Sequence, residues 1–108
     1  WQDEIFGPIL SVCSFKTPEE AVQLVNSTRF GLASTVMTSS QKAGAEIANK
    51  IRAGTVFVTA TGEGILAEFA GVQRGGYGCS GVGRELGLEG LREFTELKSV
   101  GYVGFTGA

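Results

Sequence analysis

Three short runs of β-favouring residues, Ile9 to Phe15, Leu32 to Met37 and Thr55 to Thr59, are separated by two stretches whose apolar residues return at helical spacing. Strands that alternate with helices pair in parallel through right-handed crossovers, so the pattern predicts an α/β layer of β-α-β-α-β order. Thr17, Pro18 and Glu20 carry the signature of a capping box, which starts the first helix at Pro18. Its buried stripe is Ala21, Val22, Leu24 and Val25, and Asn26, Ser27 and Thr28 end it. Ser39 or Ser40 caps a second helix with Ala43, Ile47, Ala48 and Ile51 on one face, and Arg52 with Gly54 is expected to close it.

The stretch from Gly75 to Glu96, GGYGCSGVGRELGLEGLREFTE, follows a different logic. Five glycines stand between Gly75 and Gly83, a density a chain uses where bare backbone must approach a ligand or another segment. A helix is expected from Arg84, with Leu91 and Phe94 on one face and Gly87 and Gly90 thinning the wall beside them. Between Ala60 and Gly83 no periodicity is visible, and a loop of that length is functional, disordered or held by a neighbour. A last strand is expected at Val100 to Phe105. Gly101, Gly104 and Gly107 weaken it, so it should pair with another chain or an absent segment.

Composition narrows the partners. With 108 residues the chain amounts to one domain or part of one, and a formal charge of −2 with no basic run speaks against nucleic acid or an anionic membrane. Two cysteines and no histidine make neither a disulfide framework nor a conventional zinc site, which points to a reducing, cytoplasmic compartment. No apolar run has the length of a membrane span, and WQDEIFGP lacks a signal-peptide profile. The first residue is Trp1 rather than methionine, and the composition is apolar for so small a domain. Both suggest a piece of something larger.

Gly76, Gly78 and Gly81 match G-x-G-x-x-G, the spacing that cradles a pyrophosphate at a helix amino end. The fingerprint needs a strand before it, a second strand after it and an acid at that strand's end, and only about one strand's worth of chain follows the helix, so a structural glycine loop is the expectation. Cys79 could act as a nucleophile just before a helix, yet without histidine there is no such base, and a packing role is favoured. Glu4 and Phe6 in DEIFGP leave two readings open: an anchor opening the first strand, or a carboxylate for ligand hydroxyls beside a ring for a flat ligand group. Arg84 and Glu96 bracket the last helix with charges opposed to its macrodipole, so both should face charges outside it.

Taken together, DEIFGPIL, FKTPEEAVQLVNSTRFGLASTV, AGTVFV, GGYGCSGVGRELGLEGL and FTELKSV make the chain resemble the carboxy-terminal portion of the NAD(P)-dependent aldehyde dehydrogenase superfamily over nearly all its length. The resemblance implies residues 1–96 as the end of a catalytic domain and 97–108 as an oligomerisation arm strand. It implies that Glu4 holds the nicotinamide-side ribose and Phe6 packs by the nicotinamide of NAD or NADP. Arg84 and Glu96 would join a salt-bridge network at the subunit interface, and Gly75, Gly76 and Tyr77 would belong to a loop by the substrate entrance. Gln73 and Arg74 depart from the family's usual Pro-Phe, Gly78 from its lysine and Thr59 from its asparagine. The family's nucleophilic cysteine, general base and oxyanion asparagine lie upstream of DEIFGP. No catalytic residue is therefore assigned here, and the chain alone is expected to be inert and to bind no cofactor unaided. Its partner would be the rest of the parent enzyme or another copy, and the aldehyde would be met only in the complete enzyme. A free-standing, non-catalytic module that self-associates or docks on a relative is the alternative.

Overall fold

The computed structural model describes residues 2–63 and 72–107. Of the unperiodic stretch Ala60 to Gly83, residues 64–71 lie outside the described residues. In order, the elements are α1 (Pro18–Asn26), β1 (Ala33–Met37), α2 (Gln41–Ala48), β2 (Thr55–Thr59), a 3-10 turn (Gly78–Ser80) and α3 (Gly87–Arg92).

Helix α1 starts where the capping signature puts it. The Thr17 hydroxyl accepts from the Glu20 amide at 3.2 Å, and the Glu20 carboxylate accepts from the Lys16 amide at 2.6 Å, one residue beyond the usual reciprocal partner. At the other end the Ser27 amide and hydroxyl both donate to the Leu24 carbonyl. Asn26 then ties the helix to the rest of the chain. Its Nδ2 donates to the Lys50 carbonyl and its Oδ1 accepts from the Arg52 amide, both at 2.8 Å.

β1 and β2 pair in parallel, with Ala33 opposite Thr55 and Met37 opposite Thr59. That confirms the α/β class and the parallel crossover through a helix. Ser40 is the cap of α2, its side chain accepting from the Ala43 amide. Gly44 of α2 is buried, and a Cβ there would run into Val58 and Thr38, so glycine lets the helix settle directly on the sheet.

Three expected features differ. α2 ends at Ala48 rather than at Arg52 and Gly54, because the Arg52 amide is taken by Asn26 and the Gly54 amide by the Gly31 carbonyl at 3.0 Å. The run Ile9 to Phe15 forms no strand and is exposed, as is Val100 to Phe105, so the described sheet has two strands, not three. Both runs have strand-like sequence. Neither finds a ladder partner among the described residues, and an unpaired run gains nothing from extended geometry. The last helix is short. The Glu85 amide and carbonyl are exchanged with those of Arg74 at 2.8 and 2.7 Å, and Leu86 and Gly87 both take positive φ, so helical geometry cannot begin before Gly87.

Among the described residues no hydrophobic side chain is fully buried. The chain exposes 8904 Å², against about 5,700 Å² for a self-contained monomer of its mass. Its radius of gyration is 19.4 Å, where a compact chain of this length has about 13 Å.

Candidate functional site

The glycine loop is closely held by its neighbours. It is clipped to the turn before β1 by three hydrogen bonds, the Tyr77 amide to the Gly31 carbonyl, the Cys79 amide to the Arg29 carbonyl and the Ser80 hydroxyl accepting from the Gly31 amide, each at 2.9 Å, and the Gly31 carbonyl also accepts from the Gly54 amide. Gly54 and Gly75 meet backbone to backbone, and a Cβ on Gly54 would overlap the Gly75 carbonyl. Gly78, Gly81 and Gly83 hold φ of 57°, 121° and 82°, conformations an L side chain rarely adopts. The Arg74–Glu85 bridge closes the loop at its base.

Within that closure, Arg84 turns back on its own loop. Its Nη1 donates to the Gly83 carbonyl at 2.7 Å and more weakly to the Gly76 carbonyl at 3.4 Å, and its guanidinium lies 5.4 Å from the centre of the Tyr77 ring. Leu32, Thr55, Gly75, Gly76, Arg84 and Phe94 help to line an open cavity of about 710 Å³ beside it. Glu96 lies beyond α3 and is exposed, and no ion pair joins it to Arg84 among the described residues. Because α3 spans only Gly87–Arg92, neither residue sits in it, and the argument from the helix macrodipole lapses for both.

Glu4 and Asp3 border a second cavity of about 490 Å³, whose walls include Phe30, Arg52, Cys79 and Ser80. Phe6 is not part of that wall. It is 93% exposed with φ of 50°, so it anchors nothing among the described residues. The G-x-G-x-x-G spacing leads into the 3-10 turn Gly78–Ser80, and the next helix begins only at Gly87. Cys13 and Cys79 are free and exposed. No three His, Cys, Asp or Glu side chains gather to hold an ion, and no helix is long and apolar enough to cross a membrane, among the described residues.

Sequence reasoning missed two parts of this construction. Gly54 closes no helix but makes room for Gly75, a role that only the distant pairing reveals. Arg74, noticed as a departure from the usual pattern, is half of the bridge that shuts the loop. The spacing of Arg74 and Glu85 around five glycines was the available signal.

Comparison with known proteins agrees with these pieces. The family model of the aldehyde dehydrogenase family matches residues 1–100. An aldehyde dehydrogenase of Aspergillus niger is 41% identical over 101 residues, covering 94% of this chain and 20% of its own length. A betaine aldehyde dehydrogenase of Bacillus subtilis is 41% identical over 92% of this chain and 19% of its own. Among solved structures, betaine aldehyde dehydrogenase of Staphylococcus aureus in complex with NAD+ superposes with a TM-score of 0.74 at 41% identity, covering 86% of this chain and 18% of that one. The indole-3-acetaldehyde dehydrogenase of P. syringae, in complex with NAD+ and IAA, gives a TM-score of 0.78 at 41% identity over 92% of this chain and 19% of its own. The chain thus spans about a fifth of the length of the relatives it matches. With a family match over residues 1–100 and a shared fold at 41% identity, the chain belongs to the aldehyde dehydrogenase family.

Proposed function

We propose that this chain is the carboxy-terminal part of an NAD(P)-dependent aldehyde dehydrogenase, a cytoplasmic oxidoreductase whose complete form oxidises an aldehyde to a carboxylic acid. The observation that carries the proposal is the 41% identity over 94% of the chain to an enzyme of which it covers one fifth. The surface supports it. About 3,200 Å² more is exposed than a self-contained chain of this mass shows, and Ile9, Leu10, Val12, Leu97, Tyr102 and Val103 are all open to solvent.

In this reading Glu4 and Phe6 serve the cofactor. A carboxylate bordering an open cavity suits the paired hydroxyls of a ribose, each of which donates to it, and a free ring two residues on suits the face of a nicotinamide. The bound nicotinamide would accept hydride from the substrate. These two residues hold one end of such a group and no more, so this chain orients without enclosing. Gly75, Gly76 and Tyr77 border the substrate mouth, and Arg84 and Glu96 serve the subunit interface. The reactive cysteine and the general base belong to the rest of the enzyme. Positioning without a nucleophile accelerates nothing, so the purified chain is inert. A dehydrogenase assay with NAD and NADP over a panel of aldehydes tests this: no reduced cofactor forms, and turnover by the 108-residue chain would refute the assignment of roles.

The exposed run Val100 to Phe105, with Tyr102 at 81% and Phe105 at 80%, favours a second reading, a non-catalytic module that self-associates or docks on a relative through this segment. Light scattering on the purified chain discriminates. A defined oligomer supports the module, and a stable monomer removes it.

A further inference from the structure

We infer that Arg84 is a positioning residue that sets the shape of the glycine loop from inside, through a guanidinium shared between two loop carbonyls and the Tyr77 ring. The reading deepens the substrate-mouth proposal above and rests on it only for its effect on substrate.

One nitrogen serves both ends of the loop. Nη1 donates to the Gly83 carbonyl at 2.7 Å and to the Gly76 carbonyl at 3.4 Å, while the guanidinium carbon lies 5.4 Å from the centre of the Tyr77 ring. Gly75 supplies the room. A Cβ there would meet the Gly83 carbonyl first and would stand 2.7 Å from Arg84 Cδ and 2.9 Å from Nη1, so the Gly83 backbone and the arginine arm together fill the space that glycine leaves empty. The side chain is half-buried, and hydrogen bonds from a cation to carbonyls are stronger than neutral ones. Tyr77, held from one side by Arg84, is held from the other by its amide on Gly31. Loop, arginine and the turn before β1 therefore form one unit. Glu96 takes no part in it.

Two measurements on the full chain test the inference. In the unsubstituted protein, the Arg84 Nε–H resonance should be shifted by the Tyr77 ring and return to the free-arginine position in Tyr77→Leu. An Arg84 resonance with free-arginine shift and exchange in the parent chain would overturn the proposal, and this reading needs no variant that folds. The second measurement is amide hydrogen exchange at Gly31, Tyr77 and Cys79, with the α2 amides as an internal reference for the fold. Arg84→Ala should speed exchange at these three sites about tenfold, the equivalent of one charge-assisted bond. Arg84→Lys, which keeps the charge but not the planar group over Tyr77, should recover only part of the protection. Glu96→Gln should change nothing. Unaltered exchange in Arg84→Ala, or loosening by Glu96→Gln alone, would defeat the inference. In the complete enzyme, Arg84→Ala should raise the aldehyde KM more than it lowers kcat. A loosened loop with unchanged KM would keep Arg84 in its role and discard the substrate-mouth reading.

Discussion

Residues 17–59 and the two segments at either end, 2–15 and 93–107, draw on similar residues, yet only the first folds into regular structure. Val36 and Val58 face each other across a parallel ladder, whereas Val12 and Val103 are 82% and 91% exposed. The difference lies in partners. Within 17–59 each element finds its complement nearby: β1 has β2, α1 has the Lys50–Arg52 turn, and α2 has Val58. The end segments have strand-like sequence without a ladder to join. β-propensity describes how well a residue fits a pleated, half-buried surface, and without that surface it decides little.

The comparison makes a first prediction, with the largest effect. Gly54→Ala should lower stability by about 3 kcal/mol, because the new methyl overlaps the Gly75 carbonyl and neither backbone can yield without dragging the loop or β2. Chemical denaturation reads this directly. A loss under about 1 kcal/mol would mean that the loop is no firmer than the ends, and the contrast would fail.

Asn26→Ala comes next. It removes both bonds to the Lys50–Arg52 turn, with an expected cost of about 2 kcal/mol, and the amide of Arg52 should lose exchange protection. Asn26→Asp separates the halves of the clamp, since a carboxylate can still accept from Arg52 but cannot donate to Lys50.

How much of this was legible follows the same division. Thr17, Glu20 and Ser40 were readable because a cap is a local bargain between a side chain and amides a few residues away. TVFVT was readable to its ends because the strand and its partner both lie within the chain. For Ile9 to Phe15 the residues were read correctly as β-compatible, but pairing is not a property of the run itself. The late start of α3 was hidden for another reason. Nothing local in GRELG announces that Glu85 pairs with Arg74 or that Leu86 stands at a φ of 63°, a strained value for a branched side chain. At the candidate site, the glycine spacing announced a close approach, but only the fold shows that Gly54 and Gly31 are what the loop approaches. Glu4 borders a cavity and Phe6 is a ring 93% exposed, positions that the run DEIFGP by itself did not reveal.

A smaller effect sharpens the comparison from inside the ordered block. Thr17→Ala leaves the Glu20 amide without its acceptor and should cost about 1 kcal/mol, with Ser40→Ala similar at α2. Both losses should appear as reduced helicity and lower melting temperature. If either cap proved silent, tertiary contacts alone would be holding its helix.

The smallest effect is the most direct test of the contrast. Val103→Ser replaces a side chain that is already 91% exposed, so it removes no contact and should shift unfolding by less than about 0.5 kcal/mol. The same substitution placed at Val36, half-buried on β1, discards a methyl pair from the sheet and should cost about 1–2 kcal/mol. Measured side by side in the isolated chain, the two valines report whether stability follows residue type or the presence of a partner. If a second copy covers the tail, Val103→Ser gains a concentration-dependent cost that Val36→Ser lacks, because only an intermolecular contact scales with protein concentration. Equal, concentration-independent losses at both sites would show that the tail packs on its own chain, and the distinction between the folded block and its ends would disappear.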